Sequence, residues 1–223
     1  AEPSWLAPAR NHRGYALVEV TLTGRAAHTS MPQLGVNAVA QLGRLLVAVE
    51  AAAEPVARRG GTLLASVVLG GSSPFTVPDR ASVVIEWRTV PGEFAADTLG
   101  EVEVILDDLR RADPTLDATT TLGLHREAWE QPTTGPAAAL ADALRTAMAG
   151  HPEAEAATDF AAPYWMDSAL IQAAGIPTVV CGPGGGGLHA VDEWADLRQI
   201  RAYAVALTAA LTSFAGGAGT SQG

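Results

Sequence analysis

Polar residues in unusual places are few in this sequence. The densest stretch is Cys181-Gly-Pro-Gly-Gly-Gly-Gly-Leu-His-Ala-Val-Asp-Glu-Trp194. Consecutive glycines let a backbone approach a ligand closely, and these lead to His189, whose imidazole can bind metal or move a proton. The apolar, β-branched run Ile176 to Val180 just before it predicts a short buried strand, which puts His189 beyond a strand's carboxyl end, where open α/β sheets bind ligands. The local pattern leaves two readings open: a ligand site, or a flexible turn with a surface histidine. His28, in Gly24-Arg-Ala-Ala-His-Thr-Ser-Met-Pro32, is either functional or a solvated loop residue. Asn37 falls at the first turn of a helix, where capping alone accounts for it. Arg88 closes the strand-like Val-Val-Ile-Glu-Trp-Arg and can hold a carboxylate bidentately or pair with Glu86 or Glu93. Asp167 reads first as a helix N-cap; His12, His125 and His151 read as surface residues, and Glu2 as part of a frayed terminus.

Composition removes several classes of reaction. All 14 basic residues are arginine, so neither a lysine Schiff base nor a phosphate-loop lysine is available. No Gly-x-Ser-x-Gly elbow and no His-Glu-x-x-His pair occurs, which excludes the usual serine-hydrolase and zincin signatures. Cys181 is the single cysteine, so there is no internal disulfide and no cysteine zinc cluster; this fits a reducing, cytoplasmic compartment. The net charge of −10 and the scattered arginines argue against nucleic acid as a partner, and the lack of a long apolar run argues against a membrane.

The elements that must position these residues follow from periodicity. Tyr15–Thr23 predicts a strand, Asn37 to Val49 a helix stopping near Pro55, Thr62–Leu69 and Ala81–Arg88 two strands, Ala95 to Arg111 a helix, and Thr115–Trp129 a fourth strand. The order β-α-β-β-α-β is the ferredoxin-like arrangement, a four-stranded antiparallel sheet with two helices on one face. The remainder predicts helices at 137–148, 167–174 and 196–214 around the 176–180 strand, with a disordered tail over 216–223. The fold class is therefore α/β: an inserted ferredoxin-like domain over 14–128, an opening segment 1–13, and a closing segment 129–215 of a second domain.

Taken together, Glu2-Pro-Ser4, Arg13-Gly14, Gly24 through Pro32, Gly35-Val-Asn37-Ala38, Val77-Pro-Asp79, Arg88-Thr-Val-Pro-Gly-Glu93, Met166-Asp167, Gly175-Ile-Pro177, and Gly182-Pro-Gly through His189 and Glu193 resemble a known pattern. It is that of the co-catalytic zinc metallopeptidase and deacylase family, which includes acetylornithine deacetylase, succinyl-diaminopimelate desuccinylase, aminoacylase and glutamate carboxypeptidase. The resemblance covers residues 2 to about 210, the C-terminal part of the family's catalytic domain with its inserted lid and dimerisation domain. It implies that Glu2 ligates one zinc and His189 the other, cobalt or manganese being alternatives, with a metal-acidified bridging water as nucleophile. It implies that His28 reaches across a homodimer to stabilise the oxyanion. It further implies that Arg88, Asn37 and the backbone at Gly182 and Gly184 hold the carboxylate of an N-acyl amino acid or small peptide.

The departure from that pattern is equally clear. The family's His-x-Asp segment and Glu-Glu pair, which supply further ligands and the general base, are not in these 223 residues. With an opening on Ala-Glu-Pro-Ser and no leading element, the expectation is a fragment of a longer amidohydrolase, inactive by itself. The alternative is a non-catalytic ferredoxin-like dimerisation or ligand-binding module.

Overall fold

The computed structural model describes residues 1–154 and 160–218. In chain order its elements are β1 (Ala9–His12), β2 (Tyr15–Thr23), α1 (Ala38–Arg58), β3 (Thr62–Gly70), β4 (Arg80–Arg88), α2 (Asp97–Ala112), β5 (Asp117–Arg126), β6 (Trp129–Glu130), α3 (Gly135–Met148), β7 (Phe160–Ala162), α4 (Ser168–Ala173), β8 (Gly185–Gly186), β9 (Trp194–Ala195) and α5 (Leu197–Ala218). They fall into two compact units, Arg13–Ala128 and Ala1–His12 with Trp129–Gly223.

In the first unit the period-2 patterns of β2 and β4 bury Ala16, Val18, Val20, Leu22 and Ala81, Val83, Ile85, Trp87 on one face. The sheet order is β3-β4-β2-β5, all neighbours antiparallel. Helices α1 and α2 cover that face with Leu42, Leu45, Val49, Val102 and Leu106, which share one core with the strands. This is the two-layer ferredoxin-like arrangement that the β-α-β-β-α-β order requires. Each valine, leucine or isoleucine fully buried in such a core contributes about 1.5–3 kcal/mol.

Two boundaries in this unit differ from the sequence reading. Helix α1 passes Pro55 and ends at Arg58: a proline in the last turn removes a single donor, and the next residue, Val56, is buried in the core. The fourth strand ends at Arg126, which pairs with Tyr15, and the chain resumes as the short β6, which pairs with β1 instead.

The second unit has a small sheet, β6-β1-β7, with β1 antiparallel to β6 and parallel to β7, and α3 packed on α5. Among the described residues its core is divided among three clusters, around Trp129 and Met166, around Leu6 and Met148, and around Leu144 and Cys181. Strand β1 lies where no leading element was expected. Conversely, Ile176–Val180 is not a strand. Pro177 offers no N–H, Thr178 turns its hydroxyl onto the Ile176 carbonyl at 2.7 Å, and the segment's one backbone bond to β1 runs from Ala9 N–H to Val180 O at 2.8 Å. Helix α5 runs over Leu197–Ala218; of the tail expected over 216–223, residues 219–223 lie outside the described residues. No described helix is long and apolar enough to cross a membrane.

Candidate functional site

The Glu-Pro-Ser segment and the glycine loop, at opposite ends of the sequence, are bonded into one wall of the second unit. Ser4, fully buried, donates its hydroxyl to Gly182 O at 3.3 Å and accepts the Gly182 N–H at 2.9 Å. Leu6 N–H donates to the same carbonyl at 2.8 Å. This lock holds Trp5 and Leu6 at φ 49° and 71°, in the left-handed region that non-glycine residues seldom adopt. The glycines serve the same contact. A Cβ on Gly182 would stand 2.5 Å from Glu2 O, one on Gly184 would collide with the Trp5 ring, and one on Gly186 would lie 2.7 Å from Trp194 Nε1. The loop is shaped by Glu2, Trp5 and Trp194, and β8 and β9 close it as a hairpin that the sequence reading lacked.

Glu2 thereby comes to line two cavities. One, of about 240 Å³, is bordered by Glu2, Pro183, Gly184, Leu188, Glu193 and Trp194; the other, of about 100 Å³, by Glu2, Asp167, Ser168 and Val180. Tyr164 donates to Pro3 O at 2.6 Å, and burial, followed by the nearby Glu2 carboxylate, pushes its hydroxyl pKa up. His189 borders neither cavity. It sits exposed at φ 62°, its backbone N–H donating to Glu193 Oε2 at 3.3 Å. Asp167 occupies the N-cap position of α4 without a side-chain cap bond.

His12 corrects the sequence reading outright. It is fully buried, its Nε2 lies 2.8 Å from Ser168 Oγ, and its ring stacks on Trp129 at 5.6 Å and meets Trp165 edge-on at 6.2 Å. Its polar neighbours in sequence, Asn11 and Arg13, concealed this, because on a strand alternate residues face opposite ways.

In the first unit His28 stands on a loop that backbone bonds close on every side. Arg25 and Val36 exchange both N–H···O bonds at 2.9 Å, Val77 N–H donates to Ala27 O at 2.8 Å, and Thr29 N–H to Phe75 O at 3.2 Å. Gly24 and Ala38 donate to Asp79 O and Pro78 O, so the Val-Pro-Asp segment pins both ends of the loop. His28 is exposed, and its Nδ1 faces Ser30, with Oγ at 2.8 Å and the backbone nitrogen at 3.1 Å. Asn37 caps α1, Oδ1 accepting from Ala40 N–H at 3.0 Å. Arg88 donates through Nε to Glu86 at 2.6 Å and lies 5.2 Å over the Tyr15 ring. Glu93 pairs instead with Arg59, an arginine that sequence reasoning passed over and that also bonds Glu101.

The donor chemistry at Glu2, Glu193 and His189 suits a divalent ion, since carboxylate oxygen and imidazole nitrogen both ligate zinc and its neighbours. The number does not suffice: among the described residues no group of three or more His, Cys, Asp or Glu is placed to hold a metal, whereas a catalytic zinc takes three protein ligands. Ser4, Trp5 and His12 were the contributors that sequence reasoning missed. Only Ser4 carried a signal, lying within the Glu-Pro-Ser motif.

Comparison with known proteins finds likenesses in sequence and in fold. Residues 10–114 match the peptidase dimerisation domain. The chain is 31% identical over 126 residues to acetylornithine deacetylase of Myxococcus xanthus, a match that covers 52% of this chain and 33% of the relative. It is 31% identical over 196 residues to the putative succinyl-diaminopimelate desuccinylase DapE of Mycobacterium tuberculosis, covering 85% of this chain and 51% of the relative. In fold it is similar to a Staphylococcus aureus tripeptidase, with a TM-score of 0.74 at 17% identity over 97% of this chain and 56% of that one. An amidase of the hydantoinase/carbamoylase family from Burkholderia multivorans gives 0.65 at 20% identity, over 93% and 49%. The chain thus spans between a third and a half of the curated relatives it matches.

Proposed function

From the premise that residues 10–114 are a peptidase dimerisation domain and that the chain is a relative of acetylornithine deacetylase and DapE, we propose that it belongs to a metal-dependent hydrolase that cleaves the amide bond of N-acyl amino acids or small peptides. What carries the reading is the wall in which Ser4 binds Gly182 and so brings Glu2 to the glycine loop. Glu2 and His189 are the ligands this chain would contribute to zinc, or to cobalt or manganese, the rest coming from outside these 223 residues. Such an ion, when bound, polarises a carbonyl and acidifies water.

The chain's own residues would do the remainder. Free N–H groups of Arg88 and the Asn37 amide would hold a substrate carboxylate, Arg88 by the paired geometry that guanidinium and carboxylate share; the backbone N–H groups of Gly182 and Gly184, to which the resemblance gave the same task, are instead donated to Ser4 Oγ at 2.9 Å and Gln199 Oε1 at 2.7 Å. His28 would donate a hydrogen bond to the developing oxyanion in a second copy's site. The second copy is supported by the β3 edge of the sheet, where Leu64, Val67, Val68 and Leu69 are about half exposed or more, a long apolar edge of the kind that pairs with another strand.

The test is complementation. The purified chain is expected to give no hydrolysis of N-acetylornithine or N-succinyl-diaminopimelate. The same chain joined to the N-terminal part of the Myxococcus deacetylase is expected to hydrolyse one of them and to lose that activity in Glu2→Ala and His189→Ala. Undiminished activity in both variants would end the reading.

A further inference from the structure

The His28 imidazole is held by donors on one side only. The Ser30 backbone nitrogen lies 3.1 Å from Nδ1, and a backbone N–H can only donate, so Nδ1 must accept. The Ser30 hydroxyl, 2.8 Å from the same atom, then donates as well. In a neutral imidazole one nitrogen carries the proton and the other accepts, so the proton is on Nε2, which has no hydrogen-bond partner among the described residues. His125 shows the opposite arrangement in the same unit: its Nδ1 lies 3.0 Å from Gly123 O, an atom that can only accept, so there Nδ1 must carry the proton.

We propose that Ser30 is a positioning residue, which locks His28 as the Nε2–H tautomer and so turns an exposed loop histidine into a fixed single-donor group. The sequence spacing makes this local. Ser30 is two residues on, within the turn closed by Met31 N–H to His28 O at 2.9 Å, and the backbone bonds on both sides of the loop keep the turn from opening. The consequence for chemistry rests on the reading of His28 given above: a neutral imidazole with its N–H outward can donate to an oxyanion without first finding its tautomer.

Long-range 1H–15N spectra of the imidazoles in the 223-residue chain, recorded where the rings are neutral and assigned with His28→Ala and His125→Ala, read the tautomers directly. The expected result is an Nε2–H pattern for His28 and an Nδ1–H pattern for His125. Ser30→Ala, which removes the hydroxyl and leaves the backbone donor, is expected to raise the ratio of the Nδ1–H to the Nε2–H form at His28 about fivefold, the effect of one ordinary hydrogen bond. Ser30→Thr is expected to restore it. A predominantly Nδ1–H His28, a ratio equal to that of the urea-unfolded chain, or a ratio that Ser30→Ala does not move would each overturn the proposal. Failure of the hydrolase reading would show elsewhere, in the turnover of His28→Ala in the complemented enzyme.

Discussion

The unit 13–128 and the unit built from 1–12 and 129 onward solve the same problem at different sequence distances. The first closes a four-stranded sheet under two helices from consecutive segments and gathers most of its buried apolar residues into a single core. The second joins residues far apart in the sequence, Ser4 to Gly182 and Ala9 to Val180, and among the described residues has three small clusters in place of one core. The first unit is held mainly by apolar burial, which is collective and tolerant of local change. The second relies at its wall on a few close backbone contacts, and the candidate metal ligands Glu2 and His189 belong to that unit.

The largest expected effect tests the first half of that contrast. Trp87 is 2% exposed and lies in the common core, so Trp87→Ala is expected to cost about 3–5 kcal/mol, read by urea unfolding of the first unit. A loss under 1 kcal/mol would show that the core is not the support described.

Gly182→Ala comes next. Its new Cβ would meet backbone on both sides of Glu2, O at 2.5 Å and N at 3.1 Å, two residues from the Ser4 bonds to Gly182. A cost of about 1–3 kcal/mol is expected, with amide exchange accelerated at residues 4–9 and 180–186 and unchanged in β2 and β4. Equal acceleration in both units would erase the distinction between them.

The smallest effect at neutral pH is electrostatic. Burial, opposed weakly by hydrogen bonds with Ser4 and Gly182, pushes the Cys181 thiol from its ordinary 9.0 up to about 11. Because the folded pKa is the higher one, the thiol's contribution to stability is complete below about 9 and falls as pH rises through about 11. Unfolding of the second unit followed from pH 8 to 11 should show this loss, and Cys181→Ala should flatten that part of the curve. The thiol should also resist alkylation until that unit opens.

What the sequence legibly contained was whatever depends on neighbours along the chain. Alternation in β2 and β4 and the helical spacing of Leu42, Leu45 and Val49 specified the ferredoxin-like unit, and Asn37 announced its own cap. The recurring motifs from Glu2 to Glu193 pointed to the deacylase and peptidase relatives. Tertiary structure alone decided the rest. It made the glycines of the loop a fit to Glu2, Trp5 and Trp194, withheld strand status from Ile176–Val180 because Pro177 and Thr178 take its backbone elsewhere, and buried His12 between two tryptophans and Ser168. It also put a donor opposite Nδ1 of His28 and an acceptor opposite Nδ1 of His125. Periodicity records which face of an element is apolar; it does not record which distant backbone will approach that face, and the candidate site is made of such approaches.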